Sequence, residues 1–585
     1  MFSKIFSTGR ETLVKLIASC KRFPEPLSAA VAMVVLLICL SHFDLKDAIQ
    51  NNLVKMAMVL ALGIPVFLIV RLLFERVPNL KLGLKTVIYL CALGGLILYY
   101  CYGIEDFRMV SMTRYCAITI AAHLTWIFIP YFYKRENFEL YCVRLLTNLT
   151  ITYFYASVLY IGLAATVFTI NSLFGAALGE KIYLDLWLIV AGIFAPAYFL
   201  AEIPSIQVEF QVERYPKVLK ILFLYIIIPL IIIYAAILYA YFAKIIIIGR
   251  WPKGIVSHLV LWYGLVCSSV FFFLNPLRTA VKWLDKLLRL FPIILLPLLA
   301  MMFVAMGIRI QAYGITENRY FVLVAGVWLT GWILYQLLKP KTNNLLLPLS
   351  LAIIAILTVS GPWSAYSVSK ADQYHRFVTI LKKYNMIQAN RIVKPKRPIS
   401  TQEQVKIVSI LRYFKANHSF RDLKLLPANF KLSQTSQVFG FKIDEDTYMD
   451  RYGKSYFNYN IKNSQIPNRL YDIGEFDYFI NNLQDDTVQT SKGLTVEYNS
   501  RTRELQIKRR DQEIYRQKVL DLIKPLFEDK TPAPTKAITY VAENEQVKVF
   551  YVFNSISGRK DQTTEEMEFW GLDFNLFIKL KAKVD

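Results

Sequence analysis

The sequence predicts a mainly α-helical protein: a polytopic transmembrane helix bundle of about eleven spans, followed by a C-terminal soluble α+β domain. Hydrophobic residues make up 55% of its 585 residues, charged residues only 19%, and the mean hydropathy is +0.39. An average soluble domain is about 45–50% apolar and about 25% charged. Apolar runs recur up to about residue 366, and none of span length follows. A bundle and a tail of different composition are therefore expected.

The predicted spans follow from length, because crossing a bilayer takes about 20 mostly apolar residues. Such runs lie near residues 26–43, 53–75, 84–103, 110–132, 146–172, 184–203, 218–245, 256–277, 290–308, 319–338 and 344–365. The seventh run exceeds the bilayer thickness, so we expect it to tilt, to kink near Pro229 or to run past the interface.

Four domains are predicted along the chain. The basic start, MFSKIFSTGRETLVKLIASCKRF, has no short apolar run before a cleavage site and is read as an amphipathic surface helix. The predicted borders are 1–25 for this segment, 26–366 for the transmembrane bundle, 367–400 for a helical linker and 401–585 for the soluble α+β domain.

The tail carries helical and strand patterns. Helical periodicity extends over 368–390, and a second helix is expected to begin at Ser400 or Thr401. GLTVEYNSRTRELQIKRR predicts a β-hairpin, and EIYRQKVLDLIKPLF predicts a helix. ITYVAENEQVKVFYVFNS and MEFWGLDFNLFIKLK predict two or three further strands.

The net charge of +24 is mostly a signal of topology. Basic residues concentrate in the loops that are inside when the N-terminus is inside, which is the pattern of cytoplasmic loops. Three basic residues do not follow this pattern, because they fall on the outer side: Lys244, Arg250 and Lys253. The expected partners are membrane lipid and, through residues 401–585, an envelope protein, with no nucleic acid.

Common catalytic motifs are absent from the sequence. It has no GxxxxGK[ST], GxGxxG, GxSxG or HExxH pattern. Its five histidines and seven cysteines show no metal-ligand spacing. We therefore expect no cofactor and no metal site, and no catalytic residue is assigned. The sequence leaves open whether the protein is an enzyme and favours that it is not.

Polar side chains interrupt several predicted spans. They are costly in hydrocarbon, so they are expected to face a bundle interior, a cavity or an interface. Ordinary hydrogen bonding between helices is favoured over a proton relay through the two histidines. The candidate intramembrane polar residues are Arg114, His123, Asn148, Asn171 and His258.

Three loop motifs fall on the predicted outer side: RWPKG, MGIRIQAYGITENRY and GPWSAY. The second of them forms either an interfacial turn anchored by Tyr and Arg, which is favoured, or a site that contacts a headgroup or substrate. The candidate outer-loop cluster is Trp251, Arg309, Tyr313, Glu317, Arg319, Tyr320 and Trp363.

Taken in this order, WPKG, YGITENRY and GPWSAYSVS resemble a bacterial polytopic membrane family catalogued as domain of unknown function 4153. The resemblance covers about residues 20–400. It implies a multi-pass protein of the bacterial cytoplasmic (inner) membrane. The charge pattern separately predicts a cytoplasmic N-terminus and, with eleven spans, an extracytoplasmic C-terminal domain. The resemblance implies no reaction, substrate or catalytic residue.

Three function classes stay open. The first is a cell-envelope component whose bundle anchors an extracytoplasmic partner-binding domain. The second is a carrier or scramblase for a lipid or other hydrophobic solute, with a hydrated groove lined by residues such as Arg114. The third is a membrane enzyme acting on lipid-linked substrates, with Glu317 as a base and Arg309 or Arg319 holding an anion.

Overall fold

The structure is a computed structural model, and its described residues form two compact units. One comprises the chain up to Thr379 together with Phe414–Leu423, and the other Ile380–Tyr413 together with the chain from Lys424 onward. The predicted borders near residues 25, 366 and 400 stay predictions. The structure describes residues 14–581 except 15, 44, 133–135, 176–177, 206–207, 209, 250–254, 340–341, 390, 428, 442–447, 450–453, 461–473, 482–486, 490–492, 501, 529–537 and 562–566.

The first unit is a helix bundle, as the sequence predicts. Among the described residues, ten helices are long and apolar enough to cross a membrane. They are α1 Pro24–His42, α2 Asp47–Arg76, α3 Leu82–Gly103, α4 Met109–Tyr131, α5 Phe138–Phe174, α6 Lys181–Ala201, α7 Lys217–Ile248, α8 Val256–Leu277, α9 Lys282–Tyr313 and α10 Glu317–Leu338. The protein is therefore a multi-pass membrane protein.

The eleventh predicted span is a shorter helix, α11 Leu346–Val359. Its 14 residues reach about 21 Å, less than the roughly 30 Å of the hydrocarbon core. Helix α11 nevertheless follows α10 along its length. The Tyr335 hydroxyl accepts from the Asn343 amide near one end of α10, and the Tyr320 hydroxyl donates to the Trp363 carbonyl near the other.

Contacts between distant loops show that the connections alternate between two ends of the bundle. At one end, Arg22 donates to Glu75 (2.7 Å), in the last turn of α2, and to the carbonyl of Ile203 (2.6 Å), after α6. At the other end, the Tyr366 hydroxyl, after α11, donates to the Val110 carbonyl at the start of α4 (3.2 Å). We name these the Arg22 end and the Gly314 end, after the α9–α10 loop. Successive helices that run antiparallel produce this pairing.

Helix α7 shows where a long apolar run departs from regular geometry. A π-helical turn over Leu222–Ile227 lies directly before Pro229. Proline has no amide hydrogen to donate to the carbonyl four residues earlier, and a wider π turn accommodates that gap.

The second unit contains the helical and strand elements of the tail. Helix α12 Ala365–Lys383 and helix α13 Thr401–Asn417 each contribute residues to both units. The shorter helices are α14 Thr435–Phe439 and α15 Val519–Glu528. The strands are β1 Ile387–Gln388, β2 Arg391–Ile392, β3 Tyr448–Met449, β4 Lys454–Asn460, β5 Tyr478–Ile480, β6 Thr487–Gln489, β7 Leu494–Asn499, β8 Glu504–Arg509, β9 Gln512–Lys518, β10 Ile538–Glu543, β11 Val547–Asp561 and β12 Met567–Leu580.

Two antiparallel sheets share the core of this unit. One has the order β3-β4-β11-β12-β5, with β10 also paired to β11, and the other has the order β6-β7-β8-β9. Alternate residues of β7, β8, β11 and β12 point into one apolar cluster, which α15 completes. The predicted hairpin is confirmed as β7–β8. The helix predicted over residues 513–527 is wrong in its first half, because that part pairs with β8 as strand β9.

Candidate functional site

The α9–α10 loop is a three-residue turn that requires glycine. Gly314 has φ +75° and ψ 179°, a conformation that L side chains rarely adopt. A Cβ at this position would also collide with the carboxylate of Asp372 and the guanidinium of Arg376. Only the absence of a side chain lets α12 approach the loop this closely.

Helix α12 binds the loop through what we name the polar seat: Asp372, Gln373 and Arg376. Their spacing of one and four places them on one helix face. Asp372 Oδ2 accepts from the Ile315 amide (2.7 Å), and Gln373 Nε2 donates to the carbonyls of Tyr313 (3.2 Å) and Ile315 (3.0 Å). Arg376 Nη2 donates to a carbonyl in the last turn of α9 (2.7 Å). The polar seat therefore supplies a donor to the carbonyl of Tyr313, the last residue of α9, which a helix end leaves without an intrahelical partner.

Two charged residues of the predicted cluster are buried beside the polar seat. Glu317 is 1% exposed, and its Oε1 lies 2.6 Å from Nε2 of His418. Arg319 is 5% exposed and donates to the carbonyl of Gly314 (2.5 Å), while its guanidinium carbon lies 5.5 Å from the centroid of the Tyr313 ring. Buried charges require such partners, so both residues hold the loop in place.

The remaining members of the predicted outer-loop cluster lie in several places. Tyr320 is joined to Trp363 by the bond described above, and the Trp363 ring is exposed. Arg309 is half-buried in α9, before the loop. Trp251 lies outside the described residues. The structure thus brings Tyr313, Glu317 and Arg319 together, and Tyr320 with Trp363 lies next to them.

A cavity of about 460 Å³ lies beside this cluster at the Gly314 end. Its walls come from α4, the end of α11, the start of α12 and His418. Arg114 lines it, with the guanidinium carbon 5.8 Å from the centroid of the Tyr366 ring. Burial raises the pKa of the Tyr366 hydroxyl, so that group is neutral at pH 7. The cavity therefore combines a cation with neutral hydroxyl groups.

The other intramembrane candidates are placed apart from the cavity. Asn148 is buried and donates to the carbonyl of Glu202 (2.6 Å), while Asn171 exchanges two bonds with the backbone of Leu178. His123 is exposed on α4 and bonds a carbonyl of its own helix, and His258 is half-buried on α8. The two asparagines connect segments, and the structure does not bury His123 in the bundle interior.

Comparison with known proteins places the bundle in a family. The model described as Domain of unknown function (DUF4153) matches residues 32–386, which include the polar seat and all of the cavity except His418. The chain belongs to this family. It is also 27% identical over 267 residues to the Uncharacterized protein PM1469 of Pasteurella multocida (strain Pm70), an alignment spanning 45% of each chain. No solved structure matches it.

Several residues of this site in the DUF4153 bundle were not predicted from the sequence. The polar seat follows the last apolar run, where three polar residues at helical spacing were a usable signal. His418 had none, because it lies 101 residues from Glu317 in the chain. Among the described residues, no group of three His, Cys, Asp or Glu side chains lies close enough to hold a metal ion.

Proposed function

We propose that the DUF4153 bundle anchors its C-terminal α+β unit at the outer face of a bacterial cytoplasmic membrane, where that unit binds an envelope protein. The excess of basic residues in loops at the Arg22 end supports a cytoplasmic position for that end. Eleven crossings then bring the chain out at the Gly314 end, where α12 begins. The polar seat holds the first part of α12 against the bundle and so fixes the point of attachment.

The observation that carries the partner-binding part is an aromatic row on the second unit. Register pairs Val541 with Phe550, Phe550 with Phe577, and Phe577 with Phe479, so the four side chains form one row across β10, β11, β12 and β5. Their neighbours Val549, Tyr551, Leu576 and Ile578 point into the core, so the row lies on the opposite face.

The aromatic row has the chemistry of a protein interface. Phe479 is 52% exposed and Val541 is 47% exposed, one on each side of the more buried Phe550 and Phe577. Phe476 packs on both inner rings, with centroids 6.0 Å from Phe550 and 5.7 Å from Phe577. Contiguous apolar surface with aromatic anchors is typical of protein-binding sites. The proposed partner therefore contributes an apolar surface.

Two fusions test the orientation. A reporter enzyme active only outside the cytoplasm and a fluorescent protein that folds only inside are each fused after Asp585. The proposal predicts activity of the first and no fluorescence of the second. The reverse result would place the tail in the cytoplasm and contradict an envelope partner.

Site-specific crosslinking tests the surface in intact cells. A photo-reactive residue at position 479 or 541 is expected to give one defined protein adduct, because both positions border the aromatic row. Position 570 is the matched control, since Trp570 is equally exposed (48%) on strand β12. The same adducts from all three positions would count against a specific site.

The alternatives have less support in the site. A carrier needs a continuous polar groove, whereas Arg114, Asn148 and Asn171 lie in separate contacts on α4 and α5. An enzyme that uses Glu317 as a base needs that carboxylate open to a substrate, whereas it is buried against His418.

A further inference from the structure

Arg114 is a cation at a position where burying a charge costs free energy. It lies in the second turn of α4, inside a helix long and apolar enough to span a membrane. A charged side chain within a span is costly and marks a functional site unless it is paired. Across the described part of the chain no carboxylate pairs with Arg114, and its guanidinium lies over the Tyr366 ring. Its guanidinium N–H groups can therefore serve a ligand in the cavity.

The other polar groups around the cavity define the charge of that ligand. Lys370 is already paired with Asp422 (3.2 Å), and His418 is hydrogen-bonded to Glu317 (2.6 Å). Arg114 is thus the cation left without an acidic partner in the described cavity wall. The hydroxyls of Ser360, Ser364 and Ser367 add neutral hydrogen-bonding groups. One uncompensated positive charge suits a singly charged anion such as a phosphodiester.

The polarity of the cavity changes along the direction of the helices. Val110, Arg114 and Ile118 follow one stripe of α4, and Ile118 lies about 12 Å further into the span than Val110. On α11, Ile356 likewise lies one turn deeper than Ser360. Apart from Val110 and Val359, polar groups therefore gather at the Gly314 end and apolar groups toward the middle of the bundle. A soluble anion makes no favourable contact with the apolar wall, whereas an acyl chain packs against it.

We propose that this cavity binds the phosphodiester headgroup of an anionic lipid from the leaflet at the Gly314 end, with the start of an acyl chain against Ile118 and Ile356. Arg114 is the principal contact of the phosphate. A volume of about 460 Å³ accommodates a headgroup and the first part of a chain, while the rest of the lipid stays in the bilayer. This site belongs to the bundle alone and does not depend on the tail having a partner.

Native mass spectrometry of the purified full chain in detergent tests the site. Phosphatidylglycerol, phosphatidylcholine and inorganic phosphate are titrated separately. We expect phosphatidylglycerol to bind at one site per chain, about tenfold more tightly than zwitterionic phosphatidylcholine, because both lipids present a phosphodiester but the choline cation of the second repels the Arg114 guanidinium. Inorganic phosphate at millimolar concentration is expected not to displace the lipid, because it lacks the apolar part.

Variants at one helix end provide the controls. Arg114→Gln should weaken phosphatidylglycerol binding about tenfold, and Arg114→Lys, which keeps the charge, should restore most of it. Arg108→Gln removes the same charge one and a half turns earlier, from an exposed residue that pairs with Asp106 (3.6 Å), and should change nothing.

The outcomes separate the sources. Unchanged binding by a folded Arg114→Gln protein would overturn the proposal. Equal binding of both lipids would show only adventitious association, and displacement by inorganic phosphate would show a soluble-anion site; each result also overturns it. If Arg114→Gln does not fold, the other two variants decide. A preference for phosphatidylglycerol that both Arg114→Lys and Arg108→Gln retain supports the proposal, and loss of that preference in both contradicts it.

Discussion

The two ends of the bundle hold their charges in different ways. At the Arg22 end, Arg22 meets Glu75 and Arg71 meets Glu25 through two-fold guanidinium–carboxylate bonds of 2.6–2.7 Å, on partly exposed side chains. At the Gly314 end, Arg319 and the polar seat bond to backbone atoms, and Glu317 meets an imidazole out of contact with solvent.

This difference separates two uses of charge. Each matched, partly exposed ion pair joins two segments of the bundle, and its two charges compensate each other. Backbone-directed bonds at the Gly314 end instead join α12 to α9 and α10, and they leave Arg114 beside a cavity. The first arrangement connects helices, and the second also provides a place for a ligand. Three predictions test the comparison, beginning with the largest expected effect.

Removing the acidic partner should cost far more at the Gly314 end. Glu317→Leu removes the buried carboxylate that is hydrogen-bonded to His418, and we expect a loss of about 3 kcal/mol of unfolding free energy. Glu75→Leu removes a partly exposed partner of Arg22, for which we expect about 1 kcal/mol. Thermal unfolding of both variants in the same detergent compares the two losses. Equal losses would contradict the stated difference between the ends.

The turn at Gly314 should tolerate no side chain. Gly314→Ala forces a residue into a positive φ and against Asp372, and we expect a loss of about 2 kcal/mol. Gly307→Ala in α9, the helix that precedes this loop, is the matched control, because a Cβ there meets open space and alanine favours helices. Thermal unfolding should be lowered by the first change and unaltered or raised by the second. A neutral Gly314→Ala would show that the loop is not held against α12.

In the second unit, a buried pair of tyrosine hydroxyls is expected to make stability depend on pH, with a smaller effect than the substitutions at either end of the bundle. The hydroxyls of Tyr515 and Tyr551 lie 3.0 Å apart in the core of that unit, and burial raises the pKa of both. Below the unfolded-state value of about 10 both forms of the chain are protonated. Above it only the unfolded chain releases these protons, so the stabilising contribution falls as pH rises.

Circular dichroism of the full chain measures this pH dependence. We expect β-sheet unfolding at lower temperature at pH 11 than at pH 8, and a smaller difference after Tyr515→Phe with Tyr551→Phe. At pH 8 the double variant should be nearly as stable as the unaltered chain, because it removes both partners of the hydrogen bond and leaves neither hydroxyl unsatisfied. An unchanged pH dependence in the double variant would assign the effect to other groups.

The patterns read from sequence differ in how far they reach. The apolar runs predicted the spans because a bilayer imposes a continuous length of about 20 residues on each crossing. The hairpin of β7 and β8 was readable because its pairing is local. The segment 513–518 was not, because its residues have helical spacing and only pairing with β8 makes them a strand.

By itself, therefore, the sequence determined that this chain crosses a membrane many times, carries an α+β tail and belongs with the DUF4153 proteins. Each of these rests on hydropathy or on motifs contiguous in the chain. Only the tertiary structure decided that Glu317 meets His418, that the polar seat binds the Gly314 loop and that Arg114 lines a cavity. These contacts join residues 57 to more than 100 positions apart, and packing between helices, which no local periodicity encodes, brings them together.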